Sequence, residues 1–131
     1  EEWKIQREFS NLKDKDAFEA MDSKLKPAFD KRHVISNMLG ASFMNPHVRT
    51  IDVAAGDYLL LTSDGIHDNL TNHEIAEVLA REAEPRRAAE ALIAAAKERS
   101  RDKNHIRAKP DDMTTVVIRI PNAGHPSEAK S

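Results

Sequence analysis

A chain of 131 residues, 40% hydrophobic and with a formal charge of −2, has apolar material for one core and one domain. The near balance of charge gives no electrostatic footprint for nucleic acid, and no apolar run reaches membrane length. The absence of cysteine excludes disulfides and thiolate zinc sites and fits a reducing, cytoplasmic setting, while aromatics at 5% leave the packing to aliphatic side chains.

No signal peptide precedes Trp3, and the opening Glu1-Glu2-Trp3 lacks an initiator methionine, which points to a processed product or one piece of a longer polypeptide. Residues 1–31 read as a poorly defined helical or flap segment. Trp3, Ile5 and Phe9 have strand parity, whereas Phe18, Met21 and Leu25 recur at helical spacing, so a helix is predicted over about residues 16–26, ended by Pro27. A second helix is predicted over 32–39, with Val34, Ile35, Met38 and Leu39 facing inward and Gly40 closing it. After Asn45-Pro46, residues 48–53 alternate like a half-buried strand. Ala54-Ala55-Gly56-Asp57 then reads as a tight turn, which predicts an antiparallel hairpin with the strand that follows.

That strand, Tyr58 to Leu61, is an unbroken apolar run, the pattern of a strand buried on both faces. It drives into Thr62-Ser63-Asp64-Gly65, where Gly65 is expected to permit backbone angles that a side chain forbids and so to hold the Asp64 carboxylate at the sheet rim. Thr71-Asn72-His73-Glu74 is a capping box, stapled by Leu70 and Ile75, and starts a helix with Ile75, Val78 and Leu79 inward. Pro85 suits the first turn of another helix, in which Ala89, Leu92, Ile93 and Ala96 make the apolar stripe. Residues 100–110 are polar and basic, an exposed loop in expectation. Residues 113–120 form a last strand with Val116, Ile118 and Ile120 on one face, and the tail over 122–131 is small, polar and flexible.

Asp64 ends one strand, Asp111 and Asp112 begin another, and two helices lie between. If the strands are antiparallel, the exit of one and the entrance of the other share an edge, and the carboxylates converge. Like charges gathered there need a cation, and oxygen donors without cysteine suit a hard ion such as Mg²⁺ or Mn²⁺.

Leu-Thr-Ser-Asp64-Gly65-Ile-His-Asp68, followed by Lys-Pro-Asp111-Asp112-Met-Thr-Thr-Val-Val, resembles the two C-terminal motifs of the metal-dependent PP2C-type (PPM) serine/threonine protein phosphatases, S-D-G-[IL]-x-[DE] and D-[ND]-x-[ST]-V-x-V. The helix pair, the upstream Leu39-Gly40 and the Val48–Asp57 stretch match in order, so the resemblance covers about residues 32–121, the C-terminal half of such a domain. It implies an α+β fold, part of an αββα sandwich with antiparallel sheet and a pair of antiparallel helices on one face. It also implies hydrolysis of phosphoserine and phosphothreonine in a phosphoprotein substrate, by water activated at a binuclear Mn²⁺/Mg²⁺ centre. Asp64 and Asp111 match metal ligands of the family; Asp68 matches a nearby acidic position, and Asp112 stands where asparagine is usual and would act behind the ligands.

The family's N-terminal R-x-x-N-E-D-type segment and D-G-x-G-G turn have no counterpart here. Three readings follow: an N-terminal segment lies outside the chain, a complementary chain supplies it, or the chain is a non-catalytic PP2C-like binding or regulatory module. No nucleic-acid or membrane partner is expected. Ser63 lacks the histidine or the elbow of a nucleophile, His67 reads as a rim residue and His73 as surface.

Overall fold

A computed structural model of the chain describes residues 9, 12–27, 42, 46 and 48–122. Along it run α1 (Lys15–Ala20), β1 (Tyr58–Thr62), α2 (Asp64–His67), α3 (Asn72–Arg81), α4 (Pro85–Arg101) and β2 (Thr115–Arg119). β1 and β2 form a two-stranded antiparallel sheet, with Tyr58 opposite Arg119, Leu60 opposite Val117 and Thr62 opposite Thr115. The fold is α+β, with α3 and α4 as a helix pair against one face of that sheet.

Directly opposed residues of an antiparallel pair share a face. Leu60 and Val117 turn to the helices and pack on the core of Ile66, Leu70, Ile75, Val78, Leu92 and Ala96. Leu61, Val116 and Ile118 turn the other way and are 54%, 49% and 43% exposed. The prediction that the Tyr58–Leu61 run is buried on both faces therefore fails: on the face away from the helices Leu59 is half-buried and Leu61 exposed. Val116 and Ile118 do share a face, as predicted, but it is the open one, and Val117 between them reaches the core.

The hairpin is also corrected. Residues 48–53 belong to no strand, and Val48, Ile51 and Val53 are exposed. The partner of β1 is β2, whose ladder runs on through Gly56 N–H to Ile120 C=O at 2.9 Å and Ile120 N–H to Asp57 C=O at 2.8 Å. Pairing with β2 brings Val117 onto α4 and the core, whereas the apolar residues at 48, 51 and 53 stay exposed, with no helix among the described residues to bury them. The tight turn itself forms: Asp57 N–H donates to Ala54 C=O at 3.1 Å, the Asp57 carboxylate accepts from Ala54 N–H at 2.7 Å, and Gly56 takes a φ of 91°.

α1 is shorter than predicted. Asp14 caps it, accepting from Ala17 N–H at 2.8 Å, but it stops at Ala20. The Asp22 carboxylate takes Lys24 N–H at 2.9 Å, a local bond that competes with the next helical turn. Lys26 and Pro27 are helical again, so Pro27 is no stop signal. The predicted 32–39 helix, the parity of Trp3 and Ile5, Leu39-Gly40 and the tail from residue 123 lie outside the described residues.

The two longer helices follow their sequence signals. Thr71 accepts from Glu74 N–H at 3.2 Å while Glu74 accepts from Thr71 N–H at 2.7 Å, the reciprocal box. Pro85 opens α4 behind Glu84, which caps Arg86 and Arg87 N–H. The buried stripe of α4 is Ala88, Leu92, Ala96 and Ser100, a strict i, i+4 row; Ala89 and Ile93, predicted inward, are half-buried. Small residues along that row let α4 sit close to α2, α3 and the sheet. Fully buried Ile66 and Leu92 contribute roughly 2–3 kcal/mol each by transfer alone. On the loop joining α3 to α4, the Tyr58 hydroxyl lies 3.2 Å from the Glu82 and Ala83 carbonyls, and Arg119 stacks 5.7 Å over the Tyr58 ring while donating to Ala83 C=O.

Candidate functional site

Where β1 ends, the chain turns at once into α2, and the segment that enters β2 runs beside it. Ser63 stitches the two: its N–H donates to Thr114 C=O at 2.9 Å, its hydroxyl donates to Asp112 C=O at 3.2 Å and accepts from Thr114 N–H at 2.9 Å. That occupation fits a structural hydroxyl rather than a nucleophile. Gly65 sits in α2 with an ordinary negative φ, so the expected backbone freedom is not its reason. Proximity is: a Cβ at Gly65 would lie 2.3 Å from the Asp112 carbonyl oxygen. The missing side chain lets the 111–113 segment press against the turn that carries Asp64.

A second tie comes from Asn69, fully buried just after α2. Its amide donates to Gly65 C=O at 2.9 Å and to Lys109 C=O at 2.8 Å, and its oxygen accepts Lys109 N–H at 3.0 Å. The backbone of Lys109 is thus clamped against α2. From there its ammonium reaches Asp68 at 2.6 Å and both Asp64 and Asp111 at 3.3 Å. Three carboxylates from two ends of the chain segment meet on one positive charge. The convergence expected from the sequence is present for Asp64 and Asp111, and Asp68, which the resemblance places nearby, joins them. Asp112 is not in it; its carbonyl, not its carboxylate, takes part, accepting from Ser63.

The electrostatics follow. Partial burial works against ionisation of Asp64, but the hydrogen bond and charge of Lys109 outweigh it and hold the carboxyl below its usual range. Burial likewise works against the charged form of Lys109, and the Asp68 hydrogen bond and charge, with Asp64 and Asp111, prevail and raise it. As a metal site the donor set has the right chemistry, oxygen only and anionic. The geometry is that of an ammonium site: among the described residues no group of His, Cys, Asp or Glu stands as a metal-ligating cluster.

The loop between α4 and β2 holds more than solvated charge. Arg107, 3% exposed, donates to the main-chain carbonyls of Phe9 at 2.5 Å, Leu12 and Leu70 at 3.2 Å, and His67. It thereby satisfies carbonyls left over at the end of α2 and bolts the N-terminal segment beneath the site. Glu74 and Arg99 form a second ion pair at 2.5 Å; burial opposes the Glu74 charge, but Thr71 and Arg99 hold its carboxyl down at about 2. His67 borders the cluster, its Nδ1 3.4 Å from the Thr62 hydroxyl, and His73 lies on the surface near Glu77, both as expected. Sequence reasoning missed Asn69, and it missed Arg107 and Lys109, whose neighbours spell an exposed basic loop; only the Lys-Pro-Asp spacing hints that Lys109 travels with Asp111.

No helix among the described residues is long and apolar enough to cross a membrane. Comparison with family models matches residues 30–121 to the family described as stage II sporulation protein E (SpoIIE), a span that takes in β1 through β2 and the whole Lys109 cluster. Neither curated proteins nor solved structures give a match. The match spans most of the chain, and the chain belongs to the SpoIIE family, a family of PP2C-like phosphatases.

Proposed function

We propose that this chain is the C-terminal half of a PP2C-like catalytic domain that hydrolyses phosphoserine and phosphothreonine in proteins with Mn²⁺ or Mg²⁺. The observation that carries the reading is the meeting of Asp64, Asp68 and Asp111 around one cation. Asp64 and Asp111 would be the ligands, with Asp68 beside them and Asp112 behind. A divalent pair, when bound, supplies Lewis acidity and neutralises phosphoryl charge. The chain's own part is placement: Gly65 admits the 111–113 segment, Ser63 and Asn69 fix it, and Arg107 anchors the turn from below. In this reading 32–121 are the phosphatase half and residues 1–31 a preceding segment, tied to it where Arg107 binds the Phe9 and Leu12 carbonyls.

The remaining ligands must come from an N-terminal segment or a complementary chain. The open sheet face of Leu61, Val116 and Ile118 fits the second sheet of an αββα sandwich, since apolar surface of that kind is a place for a partner layer. The test is Mn²⁺-dependent release of phosphate from a phosphoserine peptide by the full polypeptide that contains this chain. Asp64→Ala and Asp111→Ala should each cut turnover by about 100-fold or more, as loss of a directly acting group does. A second reading, a binding or regulatory module without chemistry, draws on the ammonium at the centre of the carboxylates. Turnover that is absent, or indifferent to Mn²⁺ and to Asp64→Ala, would select it.

A further inference from the structure

We propose that Lys109 is a tethered cation built into the carboxylate site, and that a divalent ion enters by displacing its ammonium rather than by filling an open position. The inference deepens the reading above and rests on Asp64 and Asp111 being divalent-ion ligands; it requires nothing of hydrolysis. An ammonium has three N–H donors and no acceptor, and here three carboxylates surround it, Asp68 and Asp64 accepting hydrogen bonds and Asp111 pairing with its charge at 3.3 Å. Without that charge, three carboxylates gathered around one point would repel one another and spread the turn.

The anchoring explains why exchange is feasible without unfolding. Asn69 holds the main chain of Lys109 on both sides, at 3.0 and 2.8 Å, while the four-carbon stem keeps its rotatable bonds. The loop stays and the head swings out. Exposure sets the order: the Asp64 side chain is 55% exposed and that of Asp111 36%, so an incoming ion meets these first, whereas Asp68, 12% exposed and closest to the ammonium, lets go last. A doubly charged ion outcompetes a single charge for the same oxygens, yet it must give up part of its gain to evict the lysine. Metal affinity is therefore held down by the chain itself, and an empty site remains folded.

Mn²⁺ binding to the whole chain, followed by calorimetry and by electron paramagnetic resonance, tests this directly. Lys109→Met keeps the stem and removes the charge, and should bind Mn²⁺ at least tenfold more tightly than the unaltered chain, with Lys109→Arg no tighter than the original. Binding in Lys109→Met that equals or falls below the original overturns the proposal, as does a failure of both to bind at millimolar Mn²⁺. A measurement on the unaltered chain guards against a variant that does not fold. In a diamagnetic Mg²⁺ titration, the Nζ and Cε resonances of Lys109 should shift saturably in step with binding, and resonances that stay fixed while Mg²⁺ binds would defeat the idea. Phosphopeptide hydrolysis reads the phosphatase assignment separately, so either can fall alone.

Discussion

Arg107 and Lys109 are two residues apart on the loop between α4 and β2, yet the first is answered by main-chain carbonyls and the second by carboxylates. Carbonyls at a helix end are fixed dipoles that, once buried, need a donor and have no other supplier. A planar guanidinium with donors pointing several ways meets four of them in one step. Carboxylates are different. They carry charge of their own, sit nearer solvent, and accept any cation that arrives. The same loop thus bears a permanent fastener and an exchangeable counter-charge, and the acceptors decide which is which.

The largest effect should come from removing the fastener. Arg107→Met leaves several buried carbonyls without donors, at about 1–3 kcal/mol apiece before water relieves some of them, so a loss of about 3–5 kcal/mol in denaturant unfolding is expected. A loss under 1 kcal/mol would mean the carbonyls are served by solvent. Gly65→Ala comes next. Its new Cβ would fall 2.3 Å from the Asp112 carbonyl, which is backbone and cannot step aside without moving Asp111. Overpacking of that kind costs about 1–3 kcal/mol, and here it should also weaken Mn²⁺ binding, a combination Arg107→Met does not isolate. Thr71→Ala, which removes one half of the capping box and touches none of the carboxylates around Lys109, should cost about 1 kcal/mol and leave Mn²⁺ binding as it was.

These sites differ in how far the sequence announces them. The capping box at Thr71, the proline-led start of α4 and the turn at Gly56 are local devices, written in a few adjacent residues, and each stands where it was read. The convergence of Asp64 and Asp111 was legible because antiparallel pairing forces the exit of β1 beside the entrance of β2, whichever other strands exist. The partner of β1 was not legible. Residues 48–53 alternate as well as β2 does, and only the cover that α4 gives Val117 separates them. For the same reason the run Tyr58–Leu61 concealed that Leu61 lies open. Gly65 was noticed for the wrong property: close approach of a distant carbonyl leaves no mark in neighbouring residues. Nor did Arg107, since a buried arginine in a basic loop spells the same as a solvated one.

Acid sharpens the contrast between neutral and charged acceptors with the smallest expected change. Arg107 meets carbonyls that do not titrate, so those bonds add no pH dependence of their own, and the penalty of Arg107→Met should differ between pH 3 and pH 7 only through the nearby charge of His105. Glu74 faces Arg99 and the Thr71 hydroxyl, with His105 on the far side of Arg99, and its carboxyl is held at about 2 against an ordinary 4.5. A carboxyl depressed by folding adds stability that is fully present above its unfolded value and is lost as pH falls from about 4.5 toward about 2. One proton bounds the slope at roughly 1.4 kcal/mol per pH unit, and solvent around the partly exposed pair keeps it well below that. Glu74→Gln is the reference, because glutamine retains the capping box while giving up the charge. The two unfolding curves should run parallel above pH 5 and draw together below it, the original losing the advantage of its ion pair; curves parallel down to pH 2 would show that the Glu74–Arg99 pair adds nothing to the fold.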